Sequence, residues 1–314
     1  MISMKVVNAM IGARSILFWI IICFSSIALT AADEQSEGPV VVNIMIGAEL
    51  HPGSSEMDPE AKWDLEVGSI IEMLNKIDPL ALNVTVSVTG DYVNEIAGNA
   101  MYKLYVTSVG SRYNHELAVY GMTAGEELGP MAYGDQYSRL MEAKRLVESA
   151  YICDGRTILV KGLVPQSFST SETTLRILER IGVEYAAGYQ VGLIYLPGHE
   201  NESWPYPIEG YDLYAVPISS IEHDGELVPL SDQYSKEVLN LSGGEWYDLL
   251  VGEFEEARRK GEPMVLIFDN VITGGDEGYM DAFKRFVDFS TSQGASFVST
   301  EELVEMARSK AAEA

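Results

Sequence analysis

Three side chains of the types that bind metal ions stand directly after predicted strands. Glu49 and His51 follow the first apolar run of the chain, and Asp269 follows a later one. Carboxylate and imidazole groups are zinc ligands, and bound zinc lowers the pKa of its water enough for attack on a carbonyl. The three residues are therefore a candidate hydrolytic site. The alternative is that Glu49 is a solvated charge and His51 an ordinary loop histidine.

A second set of candidate residues is aromatic. Aromatic rings with polar handles suit sugars, which present C–H faces for stacking. We therefore expect this part of the chain to bind carbohydrate, and the candidate residues are Tyr195, Trp204, Tyr206 and Tyr211. The alternative is that these rings pin a long loop to the rest of the protein.

Residues 1–32 are typical of a signal peptide. They carry only Lys5 and Arg14 as charges, then an apolar run and small residues ending at Ala32, where we expect cleavage. An uncleaved anchor is the alternative, because the apolar run approaches the roughly 17-residue lower limit for crossing a bilayer. Residues 33–39 are polar and predict a short tether. The sequence thus predicts a secreted or envelope protein without a membrane span once the leader is cleaved.

The chain is strongly acidic. It has 47 Asp and Glu residues against 21 Lys and Arg, and a net charge of −26. We expect no nucleic-acid partner, because phosphate contacts require clustered Lys and Arg. Asn-x-Ser/Thr tripeptides begin at Asn83, Asn201 and Asn240 and are compatible with glycosylation of an exported protein.

Apolar runs alternate with helical patterns along the chain. The predicted strands are 40–46, 84–88, 157–160, 213–216, 264–268 and 295–298. The predicted helices are centred on 63–74, 137–151, 173–182, 245–260 and 279–287, and a last helix opens with the capping box Ser299-x-x-Glu302. Such alternation is typical of parallel, right-handed crossovers. The pattern predicts about six or seven βα units in one domain, hence a barrel-like or doubly wound α/β fold.

Three motifs carry a resemblance to a known family. They are His115-Glu-Leu-Ala-Val-Tyr-Gly-Met-Thr-Ala124, Thr174-Leu-Arg-Ile-Leu-Glu-Arg-Ile-Gly182 and Gly294-Ala-Ser-Phe-Val-Ser-Thr-Glu-Glu-Leu303. In these motifs and their order the chain resembles the polysaccharide deacetylase family, the NodB homology domain. The resemblance implies a distorted (β/α)7-type barrel, a single domain over residues 40–310, with its site at the carboxyl ends of the strands. His115 and Glu116 match non-ligand positions, and we expect both to hold backbone near the strand entry.

The resemblance also implies a chemistry, the removal of acetyl groups from sugars with a divalent metal, usually zinc. Family members bind the metal with one aspartate and two histidines, and use a second aspartate as base and a late histidine as acid. Here Met45 and Ile46 stand at the two aspartate positions, and Tyr120 and Ala124 stand at the two histidine positions. The late histidine position falls at Phe268 or Asp269. The family's Arg-x-Pro appears as Leu163-Val-Pro165. Of these side chains only the Asp269 carboxylate remains suited to accepting a proton.

These substitutions predict an exported, degenerate family member, a pseudoenzyme that lacks the usual metal and catalytic residues. We expect it to bind carbohydrate or to have another non-catalytic role at the cell envelope. Its partner would be a glycan or an envelope component, and it would need no cofactor. One alternative is a carbohydrate deacetylase or other hydrolase with a relocated zinc site at Glu49, His51 and Asp269. The other is an acidic structural or interaction protein of the envelope.

Overall fold

The computed structural model describes residues 38–51, 53, 56–97, 115–150, 152–153, 156–188 and 196–313. The predicted leader, most of the predicted tether and Tyr195 lie outside these residues. Within the described part of the chain, every helix is too short or too polar to cross a bilayer.

The strands follow the predicted alternation. In chain order they are β1 Val41–Ala48, β2 Thr85–Thr89, β3 Glu116–Gly121, β4 Ile152–Cys153, β5 Arg156–Thr157, β6 Gly162–Leu163, β7 Tyr185–Ala187, β8 Tyr206–Pro207, β9 Tyr214–Val216, β10 Ser220–His223, β11 Glu226–Pro229, β12 Met264–Asp269 and β13 Ser296–Phe297. The main sheet has the order β12-β1-β2-β3-β6-β7-β9-β8, and β13 also pairs with β1. Its described pairings are parallel apart from β8 with β9.

Helices connect the strands. They are α1 Pro59–Trp63, α2 Ser69–Ile77, α3 Gly90–Ala97, α4 Tyr133–Ala150, α5 Glu172–Arg180, α6 Asp232–Glu237, α7 Gly243–Lys260, α8 Glu277–Ser292 and α9 Thr300–Glu313. A π-helical segment, Asp64–Gly68, joins α1 to α2. The predicted capping box of α9 is present, since the backbone N–H of Ser299 donates to Glu302 at 2.8 Å and Glu302 N–H donates to the Ser299 hydroxyl at 3.2 Å.

The main sheet is curled, with one buried cluster on each face. On β1, Ile44 and Ile46 belong to the larger cluster, which includes the inward faces of the helices. Met45, between them, belongs to the smaller cluster inside the curl, as the alternation of side chains along a strand requires. A parallel bridge from Ser231 to Ile267 adds a further short segment beside β12. The predicted single-domain, distorted (β/α)7-type barrel is confirmed, and the doubly wound alternative is not.

Two short strands differ from the prediction. The strand predicted at 157–160 is wrong, because Leu159 is 69% exposed and the strand of the main sheet is β6, a few residues later. The second, β7, falls in a segment that was predicted to be loop. It pairs closely because Gly162 leaves space, and a Cβ there would lie 1.9 Å from Cζ of Tyr185. Strands this short carry too few residues to show a periodicity.

A polar cluster closes the amino-terminal end of the barrel. The Glu116 carboxylate accepts the Thr85 hydroxyl at 2.9 Å, the Tyr185 hydroxyl at 2.6 Å and the Glu301 backbone N–H at 2.8 Å. Burial raises the pKa of Glu116 to about 7. The prediction that Glu116 holds backbone at the strand entry is therefore confirmed. His115 Nε2 lies 2.8 Å from the Asp78 carboxylate, and the contact predicted between His115 and backbone stays a prediction.

Candidate functional site at the carboxyl ends of the strands

Polar side chains from distant parts of the sequence meet at the carboxyl end of the barrel. Parallel strands all end at this edge, so the residues that follow them come together in space. Glu49 follows β1, Tyr120 lies near the end of β3, and Asp269 is the last residue of β12. Gln166 follows β6, and Asp232 follows the segment that bridges to β12. We call these five residues the mouth cluster.

Asp232 and Asp269 are buried side by side. The backbone N–H of Asp269 donates to Asp232 Oδ2 at 2.8 Å, and the Thr273 hydroxyl donates to the same oxygen at 2.6 Å. Asp269 Oδ1 accepts the backbone N–H of Val271 at 2.8 Å. Both carboxyl groups therefore have hydrogen-bond donors, although they are nearly inaccessible to solvent.

Burial changes the protonation of three carboxyl groups in the mouth cluster. It raises the pKa of Asp232 to about 8, and the charge of Asp269 adds to this rise. Burial, followed by the charge of Asp269, raises the pKa of Glu49 to about 8. Asp269 itself has its pKa raised by burial to about 6, against the opposing effect of the Val271 N–H. Burial therefore favours the protonated form of all three carboxyl groups, more strongly for Glu49 and Asp232 than for Asp269.

Neighbouring amides position Glu49. Its backbone N–H donates to Asn270 Oδ1 at 3.0 Å, and its carbonyl accepts from Asn270 Nδ2 at 3.1 Å. Its carboxyl group accepts a hydrogen bond from Gln166 Nε2. Asn270 is fully buried, so Glu49 has a defined backbone position beside Asp269.

Tyr120 stands where the resemblance places the family's first histidine. Its hydroxyl donates to Asp269 Oδ2 at 3.4 Å. Burial, then the charge of Asp269, raises the pKa of this phenol well above its ordinary value, so it stays neutral. Gly47 permits this packing, because a Cβ there would lie 2.7 Å from Tyr120 Cε1 and 2.9 Å from Asp269 Oδ2.

Little free space remains beneath the mouth. A cavity of about 30 Å³ touches Tyr120, Phe168, Asp232 and Asp269. Such a volume has room for about one or two water molecules. Ser167 and Phe168, in the loop beside it, both have a φ of 49°, a left-handed conformation that non-glycine residues rarely adopt. A sugar ring does not fit in this cavity.

The structure places the family's other motif positions in different surroundings. Met45 is buried inside the curl, whereas Ile46 and Leu163 are buried in the layer that includes the helices. Pro165 borders the small cavity. Ala124 is half-buried in the turn after β3.

The candidate metal residues are only partly brought together. Glu49 and Asp269 are neighbours, because Gly47 pairs in register with Asp269 and the Glu49 N–H donates to Asn270 Oδ1 at 3.0 Å. The backbone N–H of His51 instead donates to Glu66 Oε1 at 3.0 Å. Among the residues that the structure describes, no group of three or more His, Cys, Asp or Glu side chains is arranged to hold a metal ion. The mouth cluster contains no histidine, so it does not supply the imidazole ligands of the zinc site that the resemblance implies.

The candidate sugar-stacking residues do not form an exposed platform. Tyr206 is 5% exposed and stacks on His199 with 4.0 Å between ring centroids. Lys310 Nζ of α9 lies 4.4 Å from the centroid of the half-buried Trp204 ring. Tyr211 is half-buried against the core. These contacts favour the alternative in which the rings pin the loop to the barrel.

Sequence reasoning missed three residues of this region. Asp232 follows Ser231, whose side chain caps α6. In the sequence, Asp232 is therefore indistinguishable from an ordinary acidic residue at the start of a helix. Gln166 follows the proline of the Leu163-Val-Pro165 motif, and Asn270 follows Asp269. Gln166 and Asn270 could have been found in the sequence only because each is adjacent to a residue that was already a candidate.

Comparison with known proteins gives structural matches only. No family model and no curated protein matches this sequence. A protein of Mycobacterium smegmatis described as a polysaccharide deacetylase matches with a TM-score of 0.66 and 15% identity, over 87% of this chain and 92% of that one. A protein of Pseudomonas aeruginosa PAO1 that is also described as a polysaccharide deacetylase matches with a TM-score of 0.64 and 13% identity, over 86% of this chain and 91% of that one.

An allantoinase shares the same architecture. It matches with a TM-score of 0.65 and 11% identity, over 86% of this chain and 91% of that one. The chain therefore has the polysaccharide-deacetylase fold that its motifs predicted. Because proteins named for two different activities share this fold, the chemistry must be argued from the site.

Proposed function

We propose that this protein is an exported, polysaccharide-deacetylase-like barrel that binds carbohydrate at the cell envelope and does not perform metal-dependent deacetylation. The observation that carries the proposal is the filled mouth of the barrel. Tyr120 donates to Asp269 where the family's metal chemistry would take place, and the cavity beside them measures about 30 Å³. An acetylated sugar and a metal-bound water need much more space.

Carbohydrate would bind beside this filled centre, in an open cleft of about 530 Å³. The cleft is lined by residues that include Thr123, Ala124, Glu126, Met131 and Arg139. The Arg139 guanidinium pairs with Glu126 and donates to the Thr123 hydroxyl at 2.8 Å. Sugar hydroxyls are hydrogen-bonded by such polar groups, and the Met131 side chain offers apolar contact.

The catalytic half of the proposal is tested on purified full-length protein. We expect no stoichiometric zinc, and no acetate release from N-acetylated chito-oligosaccharide or O-acetylated xylan with zinc added. Either zinc retention or acetate release would overturn the non-catalytic assignment. A known deacetylase assayed in parallel shows that the substrates are competent.

The binding half is tested by co-sedimentation with insoluble chitin, xylan and purified cell wall. We expect binding to at least one polysaccharide, and at least a tenfold loss in Ala124→Trp, which fills the cleft. Ala132→Trp is the matched control, because Ala132 is exposed and does not line the cleft. Sedimentation with envelope but with no purified polysaccharide would instead indicate an acidic interaction protein.

A further inference from the structure

The three Asn-x-Ser/Thr tripeptides lie in very different surroundings. Transfer of a glycan requires the asparagine amide and the hydroxyl two residues later to be available together. In a finished protein, the attached sugar must also point into solvent. The fold therefore discriminates between tripeptides that the sequence alone leaves equivalent.

Asn83 is occupied by structural contacts. Its Nδ2 donates to both carboxylate oxygens of Glu302, at 3.0 and 3.1 Å. That carboxylate also caps α9 through Ser299. Thr85, the hydroxyl residue of the tripeptide, is fully buried in β2 and bonded to Glu116. A glycan on Asn83 would break the connection between the start of β2 and α9.

Asn240 is in an intermediate position. It is exposed, with a φ of 54°, in the connection between α6 and α7. Its hydroxyl residue, Ser242, caps α7: the Ser242 hydroxyl donates to Glu245 Oε2 at 2.7 Å, and the Ser242 N–H donates to the same oxygen at 2.8 Å. Once α7 has formed, the hydroxyl is engaged, although a sugar attached earlier would be accommodated.

Asn201 meets both requirements. It lies in a turn between Glu200 and Glu202, and all three residues are exposed. Ser203 is half-buried and lines, with Asn201, the rim of a cavity of about 390 Å³. The turn is closed by backbone hydrogen bonds, including Glu202 N–H to the His199 carbonyl at 3.2 Å, and Asn201 is exposed within it.

We propose that Asn201 is an N-glycosylation site, that Asn240 is modified less fully, and that Asn83 remains bare. The donor is a lipid-linked oligosaccharide. In the transfer, Asn201 Nδ2 forms a bond to C1 of the first sugar, the bond from C1 to the phosphate oxygen breaks, and the lipid phosphate leaves with the electron pair. One amide proton passes to a base of the transferase.

A glycan at Asn201 would stand over the acidic side of the cavity. Glu253, Glu256 and Glu262 line the same cavity. The oligosaccharide would shield this surface from cationic molecules and keep it hydrated. The inference rests on the export proposed above, since the lipid-linked donor is used outside the cytoplasm.

The test expresses the full chain, with its own leader, in a host that performs N-glycosylation. Protein from the medium or envelope is digested and each tripeptide is analysed by mass spectrometry before and after enzymatic deglycosylation. We expect most Asn201 peptides to carry glycan, fewer Asn240 peptides, and essentially no Asn83 peptides. A bare Asn201 in exported protein, or occupancy of Asn83 equal to that of Asn201, overturns the proposal.

Matched variants separate the motif from the fold. Ser203→Thr keeps a hydroxyl and should retain the glycan, whereas Ser203→Ala should lose one glycan mass with Asn201 unchanged. Asn83→Gln should leave the total glycan mass unchanged. If the chain stays in the cytoplasm, the export premise fails as well and the glycosylation proposal falls with it. Exported but bare protein overturns glycosylation alone.

Discussion

Asp232 is a buried carboxyl group whose hydrogen-bond donors are all uncharged. It accepts from Asp269 N–H, the Thr273 hydroxyl and Gln233 N–H, the last at 2.7 Å. These bonds satisfy its oxygens but do not offset the cost of an ionised carboxylate away from water. The proton is therefore retained to a pKa of about 8.

Replacing Asp232 by asparagine should change how stability depends on pH. The folded-state pKa of about 8 lies above the ordinary 3.8, so the folded state holds this proton more tightly than the unfolded chain does. The group's contribution is complete below about pH 4 and is lost as pH rises to about 8. Asparagine does not titrate, so the free energy of unfolding of Asp232→Asn should rise relative to that of the parent as pH increases across this window. The relative rise should be on the order of a few kcal/mol at pH 9.

Urea unfolding of parent and variant at pH 5 and pH 9 measures this difference. Asp248→Asn is the control, because it removes an exposed carboxylate from α7 and should leave the pH profile unchanged. A constant difference between Asp232→Asn and the parent at the two pH values would contradict the assignment.

At the scale of elements, the mouth cluster forms because side chains from β3 and β12 both reach the end of β1. Gly47 lies between Tyr120 and Asp269, and it pairs in register with both Asp269 and Ser87 of β2. There is no room for a side chain at this position of β1. A small residue at the strand end thus positions a carboxyl group two residues later, at Glu49.

Gly47→Ala should therefore destabilise the protein by about 1–3 kcal/mol, the usual cost of overpacking a well-packed core. Gly252→Ala is the matched control. Gly252 is exposed within α7, and a Cβ added there would meet no neighbouring atom within 4 Å. Alanine should therefore stabilise the protein by up to about 1 kcal/mol, because its helix propensity is higher than that of glycine. Denaturant unfolding of both variants checks the pair, and similar effects from the two would contradict the packing argument.

For the whole molecule, the main electrostatic feature is that several acidic groups are buried although the net charge is −26. Burial raises the pKa of Glu49, Glu116, Asp232 and Asp269 to between about 6 and about 8. On the surface, the side-chain hydrogen bond from Arg259 lowers the pKa of Glu256 to about 2. The buried groups favour the folded state at low pH, and the surface pair favours it at higher pH.

The buried groups should dominate the pH dependence, because exposed ion pairs contribute little. For each group with a raised pKa, stability is lost as pH rises from its pKa in the unfolded chain to its pKa in the folded protein. We expect the free energy of unfolding to be greatest near pH 4 and to fall by several kcal/mol on going to about pH 8. Urea unfolding across pH 4–9 measures this.

Repeating the pH series in 1 M salt gives the control. Salt screens the surface self-repulsion but reaches buried groups much less, so most of the decline should remain. A profile that is flat, or that rises from pH 5 to pH 8, would show that the mouth cluster and Glu116 do not titrate as described.

Local pattern was enough to predict much of this fold. Apolar runs predicted β1, β2 and β12, and caps such as Ser171 and Ser299 predicted where helices begin, because these signals act within a few residues. The order of the motifs predicted the barrel. The sequence also predicted that Glu49 and Asp269 meet, since each directly follows or ends a parallel strand.

Only the tertiary structure decided the surroundings in which Glu49 and Asp269 lie together. Asp269 lies 37 residues from its partner Asp232, and Glu49 lies 117 residues from its partner Gln166, so no local pattern specifies these contacts. The same applies to Tyr206, which looks like a sugar-stacking residue but is buried against His199. By itself the sequence determined the barrel and the residue types at its mouth. Their burial, and with it their protonation and the space left for a ligand, depends on packing between distant segments, which exists only once the chain has folded.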